Sequence, residues 1–187
     1  MLAAVVSKLT VRSSRFRSVQ HKAFCCVAAI ALLVSASLCW AKPHPAPQAD
    51  RILIVKSAHS MTLLRQGKVL KTYKVALGSD PVGAKTREGD GKTPEGEYRI
   101  SQKNEHSQFH LSLRISYPNE VDRQRAQKLG VSPGGDIFIH GLPPQWAWIG
   151  AAHREKDWTA GCIAVTNAEI EEIWASVPVG TPVEIKP

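Results

Sequence analysis

DIFIH, residues 136–140, is a short run whose alternation places Ile137 and Ile139 on one face of a strand and Phe138 on the other. Apolar side chains on both faces are typical of a strand inside a sheet, with a neighbour on each side. The run ends at His140 and Gly141, where a side chain can leave the sheet and face a cleft. The stretch therefore predicts an internal strand that carries a polar group to the edge of the sheet.

Other short strands are predicted on both sides of DIFIH, separated by turn residues. They are RILIVK (51–56), a hairpin over 61–78 that turns at Gln66-Gly67, a strand that resumes at Tyr98 after the Pro94–Gly96 turn, FHLSLRISY (109–117), CIAV (162–165) and GTPVEIKP (180–187). Two short helices are also predicted: one over 119–130, capped by Asn119, and one from about Asn167, where Thr166 and Glu169 have capping-box spacing. This pattern predicts a mostly β domain, a β-sandwich or partly closed barrel with two or three short helices.

The first 41 residues have the composition of a targeting segment. They carry five positive charges and no Asp or Glu, and an uncharged run, AFCCVAAIALLVSASL, covers residues 23–38. Cys39 and Ala41 give a small-x-small cleavage pattern, which predicts a secretory signal peptide. The alternative is an N-terminal membrane anchor formed by residues 23–41. We predict export to the periplasm or cell envelope, a Pro-rich linker over 42–50 and one folded domain over 51–187.

Charge and composition narrow the class of partner. The chain has 24 Lys and Arg residues and 16 Asp and Glu residues, and the excess lies largely in the predicted leader. The remainder contains no basic run of the kind that binds nucleic acid. We expect a monomer with no nucleic-acid partner.

Cys162 is the only cysteine of the predicted domain, because Cys25, Cys26 and Cys39 lie in the leader. A lone cysteine in an exported protein is a buried inert residue, an intermolecular disulfide partner or a reactive thiol. A cysteine nucleophile needs a base, a group that orients the base, and donors for the developing oxyanion. If DIFIH and CIAV pair, His140 can meet Cys162, and the amides of Gly161 and Cys162 can form an oxyanion hole. Gly161 would also let the backbone approach a substrate closely.

IHG at 139–141, followed by TAGCI at 159–163, resembles the His-Gly…Ser/Thr-x-Gly-Cys signature of L,D-transpeptidase catalytic domains. TPEG at 93–96 and VPVGTPVEI at 177–185 resemble further motifs of this family, so the resemblance extends over residues 51–187. It implies a mostly β fold, and an enzyme that attacks a peptidoglycan stem peptide at the carbonyl of its third residue. Such enzymes release D-alanine, hold an acyl-cysteine and pass the acyl group to an amine or to water.

The resemblance also implies roles for individual residues. Cys162 would be the nucleophile, His140 the base, and the Gly141 carbonyl the group that orients the imidazole. No metal or other cofactor is implied. The predicted partners are peptidoglycan stem peptides, and the predicted reaction is transpeptidation.

Two positions depart from the family pattern and keep an alternative reaction open. Ala160 stands where many members have His, and Ala164 stands where many have Arg or Asn. DWTAGCIAVTN is closer to a branch that includes enzymes hydrolysing bonds to a peptidoglycan-linked lipoprotein. A hydrolase, either an L,D-carboxypeptidase or an amidase that releases a wall-linked lipoprotein, is therefore the main alternative. A zinc site formed by His140, His153 and Cys162, or a silent wall-binding protein, are the others.

Further side chains are candidates for substrate binding, and each has an ordinary structural alternative. Arg114 and Arg154 can bind a carboxylate or remain solvated. His110 and His153 can line the cleft or have only a structural role. The tryptophans at 146, 148 and 158 can stack on glycan or pack against the protein. We interpret Asn167 as a helix cap. The predicted substrate-binding residues are Thr159, His153, Arg154, Trp158, Arg114 and His110.

Overall fold

The structure, a computed structural model, describes residues 48–187. The predicted signal peptide or anchor (1–41) and most of the predicted linker (42–50) lie outside the described residues. None of the helices within 48–187 is long and apolar enough to cross a membrane. The elements in chain order are β1 (Arg51–Val55), β2 (Ser60–Arg65), β3 (Lys68–Lys74), β4 (Gly96–Ser107), β5 (His110–Ile115), α1 (Glu120–Lys128), β6 (Phe138–His140), a 3-10 segment (Pro144–Glu155), β7 (Ile163–Ala164), α2 (Asn167–Ser176) and β8 (Pro182–Lys186).

The strands form one sheet in the order β3-β2-β1-β8-β4-β5-β6-β7. The long strand β4 pairs with β8 through its first residues and with β5 through the remainder, and its register shifts near Ile100. After β3, Ala76 exchanges two backbone hydrogen bonds with Ala164 of β7, with N–O distances of 3.0 and 2.9 Å. This bridge links the two ends of the sheet without closing a barrel. The predicted mostly β, partly closed architecture is confirmed.

Several local predictions are confirmed. Strand β6 pairs with β5 on one side and with β7 on the other, and is therefore internal, as the two apolar faces of DIFIH predict. The β2–β3 hairpin turns at Gln66 and Gly67, whose φ angles of 51° and 73° match the left-handed residues of a tight hairpin turn. Asn119 caps α1, and a capping box between Thr166 and Glu169 begins α2.

Two buried lysines hold the long connection between β3 and β4. Lys56 Nζ donates to the carbonyls of Gly83 and Thr93 at 2.6 and 3.1 Å and pairs with Glu95 at 2.8 Å. Further along, Lys85 and Asp90 form a buried ion pair at 2.8 Å. Paired, hydrogen-bonded charges can be buried where an unpaired charge cannot. The connection is therefore anchored to the rest of the domain by buried charged groups.

This anchoring gives a stability prediction. Lys56 is 2% exposed, so replacing it with Ala leaves the Thr93 carbonyl without its donor and the Glu95 carboxylate without its partner. We expect Lys56→Ala to lower the free energy of unfolding by about 3 kcal/mol. Urea unfolding followed by circular dichroism measures this change.

The matched control is Lys74→Ala, which removes an exposed lysine of β3 that donates to one backbone carbonyl, that of Ala58. It should cost less than about 0.5 kcal/mol. Equal effects of the two substitutions would show that Lys56 does not anchor the connection.

Candidate active site

Cys162 lies at the start of the short parallel pair formed by β6 and β7. The register pairs Ile139 with Ile163, so Cys162 lies beside Phe138, whose backbone N–H donates to Cys162 Sγ at 3.4 Å. Burial raises the pKa of the Cys162 thiol, although the Phe138 N–H and the positive charge of Lys85 act in the opposite direction. The thiol is therefore protonated at neutral pH and needs a base to become a nucleophile.

His140, at the end of β6, is held in one orientation by its own neighbour. Its Nδ1 is 2.6 Å from the carbonyl oxygen of Gly141. A carbonyl only accepts, so Nδ1 carries the proton and Nε2 keeps a free lone pair. Burial lowers the pKa of His140 to about 4, against the opposing effect of the Gly141 carbonyl. The imidazole is thus neutral at physiological pH and able to accept a proton at Nε2.

The turn after His140 is fixed from helix α2. Asn167 Oδ1 accepts the backbone N–H of Leu142 at 2.7 Å, and a Cβ at Gly141 would lie 2.6 Å from the same oxygen. The interpretation of Asn167 as a helix cap is wrong: Thr166 caps α2, and the Asn167 side chain instead points to the His140–Gly141 turn. Glycine at 141 is therefore needed for close packing against α2.

His140 and Cys162 line the same cavity, which has a volume of about 540 Å³. Asn104 and residues 106–109, at the end of β4 and in the turn to β5, form one side of it. The predicted Trp158 and Thr159 also line the cavity. The sequence gives no local signal for the hairpin contribution, which depends on the pairing of β5 with β6. The lining residues are Asn104, His106, Ser107, Gln108, Phe109, Ser112, Phe138, His140, Trp158, Thr159, Ala160 and Cys162.

The loop before Cys162 is held by internal hydrogen bonds, and one of them occupies an amide predicted to form the oxyanion hole. Gly161 N–H donates to Thr159 Oγ1 at 3.1 Å, and Thr159 Oγ1 donates to the Cys162 carbonyl at 2.7 Å. A Cβ at Gly161 would meet the Lys92 carbonyl at 2.6 Å, so glycine at this position allows the close approach of the β3–β4 connection. The Gly161 amide is already paired, which leaves the Cys162 amide as the candidate oxyanion donor. The Thr159 hydroxyl holds the loop.

The two arginines predicted to bind substrate are paired elsewhere. The Arg154 guanidinium forms an ion pair with Glu169 of α2, and Arg114 pairs with Asp136 at 2.6 Å. Neither arginine lines the cavity. Each charge is balanced within the fold, so the prediction of a carboxylate-binding arginine is not supported at either position.

The two predicted histidines also lie outside the cavity lining. His110 binds Glu171 of α2 at 2.7 Å on the exposed surface. His153 is 5% exposed and accepts the indole N–H of Trp158 at Nδ1 across 3.4 Å. Burial, followed by the charge of Arg154, lowers the pKa of His153 to about 4. His153 therefore lies behind Trp158 as a neutral partner of its indole.

Trp158 separates the two buried histidines. Its ring meets those of His140 and His153 edge-on, with centroid distances of 5.8 and 6.4 Å.

Among residues 48–187, no group of three His, Cys, Asp or Glu side chains is placed to hold a metal ion.

The fold and the cavity define a class: a mostly β domain that presents Cys162 and the neutral imidazole of His140 to the same cleft. Residues 49–185 match the YkuD family, the L,D-transpeptidase catalytic domain. The chain belongs to this family. The match begins at Ala49, which is buried and donates its backbone N–H to the Ser176 carbonyl.

Individual relatives agree with this assignment. YafK of Escherichia coli K12, which carries an L,D-transpeptidase name, is 31% identical over 114 residues, which are 60% of this chain and 39% of YafK. YqjB of Bacillus subtilis 168 is 26% identical over 76% of this chain and 74% of its own length. The structure of Pgp2, a helical cell shape determining protein from Campylobacter jejuni, aligns with a TM-score of 0.57 at 26% identity, covering 77% of this chain and 50% of Pgp2. The chain thus spans well under half of YafK and half of Pgp2.

The contact between Asn167 and the His140–Gly141 turn gives a prediction. Asn167→Ala removes the acceptor of the Leu142 N–H, which should let the turn shift and lower kcat by about ten- to a hundredfold, because small misplacements of a catalytic group are costly. Asn167→Asp keeps an acceptor oxygen and should retain most of the rate.

Steady-state kinetics on a disaccharide-tetrapeptide measures both variants, and thermal unfolding shows that each is folded. The positioning role is refuted if Asn167→Ala keeps the full rate, or if Asn167→Asp loses as much as Ala does.

Proposed function

We propose that the protein is a cysteine-dependent L,D-transpeptidase that remodels the cell wall by acting on peptidoglycan stem peptides. The observation that carries this proposal is the shared cavity of Cys162 and His140, with His140 Nδ1 bound to the Gly141 carbonyl and Nε2 free. Membership of the YkuD family supports the reaction class. The similarity to Pgp2, which is named for determining cell shape, supports the cell wall as the substrate.

Acylation begins with a neutral pair. His140 Nε2 takes the proton of the Cys162 thiol as Sγ attacks the carbonyl carbon of the third stem residue. The Cys162 N–H donates to the oxygen on which negative charge develops. When the C–N bond breaks, the imidazolium returns its proton to the departing amine of D-alanine. A thioester to Cys162 remains, and His140 is neutral again.

The low pKa of His140 suits this proton transfer. An imidazolium in the buried site is costly, so the proton is held only transiently and is passed readily to the leaving amine. The Gly141 carbonyl stabilises the imidazolium through Nδ1–H. It therefore takes the place that an Asp or Asn holds in other cysteine or serine triads.

Deacylation needs an acceptor that reaches the thioester from the cavity. In transpeptidation an amine of a second stem peptide attacks, His140 removes its proton, and Sγ leaves with that proton. Hydrolysis is the second candidate, with water in place of the amine. It is favoured by the amide and hydroxyl groups of Asn104, Ser107 and Ser112 in the cavity wall, which can hold a water molecule.

Location and partners are part of the same proposal. Peptidoglycan is assembled outside the cytoplasmic membrane, which agrees with the export predicted from residues 1–41. We propose a periplasmic or cell-envelope enzyme whose partners are stem peptides. A wall-linked lipoprotein is the corresponding partner if water is the acceptor.

The test of the proposed function is a product analysis. The purified protein is incubated with disaccharide-tetrapeptide, with and without an excess of an amine acceptor, and the products are resolved by mass. A cross-linked product supports transpeptidation, while disaccharide-tripeptide alone replaces it with hydrolysis. If neither product forms under conditions in which the protein is folded, the proposed function is wrong.

Substitution of Cys162 distinguishes the proposed enzyme from a catalytically silent wall-binding protein. Cys162→Ala should fold normally and lose all turnover, because a methyl group cannot form the thioester. Cys162→Ser should lose nearly as much, since a hydroxyl is far harder to ionise. Mass spectrometry of the protein after mixing with substrate should show an acyl adduct on the wild type alone. Turnover by Cys162→Ala would rule out this mechanism.

The pH dependence follows from the lowered pKa of His140. The free Nε2 is available above a pKa of about 4 and is lost as the pH falls through that value. The value of kcat/KM should therefore hold down to about pH 5 and fall near pH 4.

His153 has a similar pKa, so the control is His153→Gln, which keeps an acceptor for the Trp158 indole. The acid limb should remain in His153→Gln, and His140→Ala should lose most of the rate. An acid limb near pH 6.5, or one that His153→Gln removes, would assign the base elsewhere.

A further inference from the structure

A second groove adjoins the catalytic cavity on the far side of Phe109 and Trp158. It has a volume of about 560 Å³ and shares Gln108 as well as these two aromatic residues with the cavity. Its other walls are Pro143, Pro144, Gln145 and Trp146. We name this site the aromatic groove.

The aromatic groove has firm apolar walls. Trp146 meets Trp158 edge-on, with ring centroids 5.3 Å apart and planes at 79°. The backbone N–H of Trp146 donates to the Pro143 carbonyl at 2.8 Å, and the two prolines restrict the start of the 3-10 segment. Trp146 is nevertheless 43% exposed, so part of its indole remains available to a ligand.

The lining combines aromatic faces with neutral amides. Indole and phenyl faces carry negative charge density, which attracts the weakly positive C–H groups on the face of a sugar ring. The side chains of Gln108 and Gln145 supply donors and acceptors that suit hydroxyl and N-acetyl groups. Apolar walls with a few polar groups are typical of a ligand site.

We propose that the aromatic groove binds the saccharide of the peptidoglycan donor while the stem peptide occupies the catalytic cavity. This inference rests on the proposed function, because that function places a glycan-linked peptide beside Cys162. The shared wall of Phe109 and Trp158 makes the two sites continuous, and the substrate is a peptide joined covalently to a sugar. The D-alanine and diamino acid of a stem peptide offer no large apolar side chain for such a groove.

The test compares substrates with and without sugar. KM is measured for disaccharide-tetrapeptide and for the free tetrapeptide, and their ratio reports the contribution of the saccharide. We expect the wild type to favour the disaccharide substrate by roughly tenfold in KM. In Trp146→Ala the two KM values should become nearly equal.

Trp148→Ala is the matched control. Trp148 lies two residues further along the same 3-10 segment, is 83% exposed and lines neither the groove nor the cavity. It should keep the wild-type ratio. A wild type with equal KM values for the two substrates would overturn the inference, as would a Trp146→Ala variant that keeps the wild-type ratio.

Binding to Cys162→Ala separates this inference from the proposed function. Calorimetry with the disaccharide-tetrapeptide needs no turnover and is repeated in the Cys162→Ala/Trp146→Ala double variant. If the wild type cleaves neither substrate but Trp146→Ala still weakens binding by roughly tenfold, the proposed reaction fails and the saccharide site stands. If binding is the same with and without Trp146, the saccharide site is refuted whatever the reaction.

Discussion

The hydrogen bond from the His140 imidazole to the carbonyl of Gly141 sets the chemistry of the cleft. It places the proton on Nδ1, leaves Nε2 free for the proposed role of base, and requires no acidic residue. A backbone carbonyl cannot be moved without moving the chain, so the orientation of the His140 ring depends on the turn itself. Asn167 and the close packing of Gly141 against α2 fix that turn, and the pairing of β6 with β7 brings it to the same cavity as Cys162.

The loop before Cys162 and the β3–β4 connection fix the position of this residue. The Thr159 hydroxyl closes the loop around Cys162, and the Lys92 carbonyl packs against Gly161 from the β3–β4 connection. That connection is itself held by Lys56 and Lys85 through buried contacts. Groups far apart in the chain thus hold Cys162 in place. The buried thiol and the imidazole are both neutral at physiological pH.

Predictions from the sequence are correct where neighbouring residues determine the outcome. The turn at Gln66 and Gly67, the Asn119 cap, the capping box that begins at Thr166 and the internal strand DIFIH depend on short-range patterns, and the structure confirms them. Contacts between residues far apart in the chain decide where the other predicted site residues lie. Arg154 pairs with Glu169, a residue 15 positions away, and so does not face the cavity. The β4–β5 hairpin lines the cleft because β5 pairs with β6, the strand that carries His140, and no local pattern reveals that pairing.

Nitrogen NMR of the histidine rings tests the central claim most directly. The full chain with isotope-labelled histidine is titrated, and long-range proton–nitrogen correlations report which ring nitrogen of His140 carries the proton. His140→Ala identifies the signal. The account predicts a protonated Nδ1, an unprotonated Nε2 and no titration until the pH approaches about 4. A proton on Nε2 at neutral pH, or titration near the ordinary pKa of histidine, would contradict it.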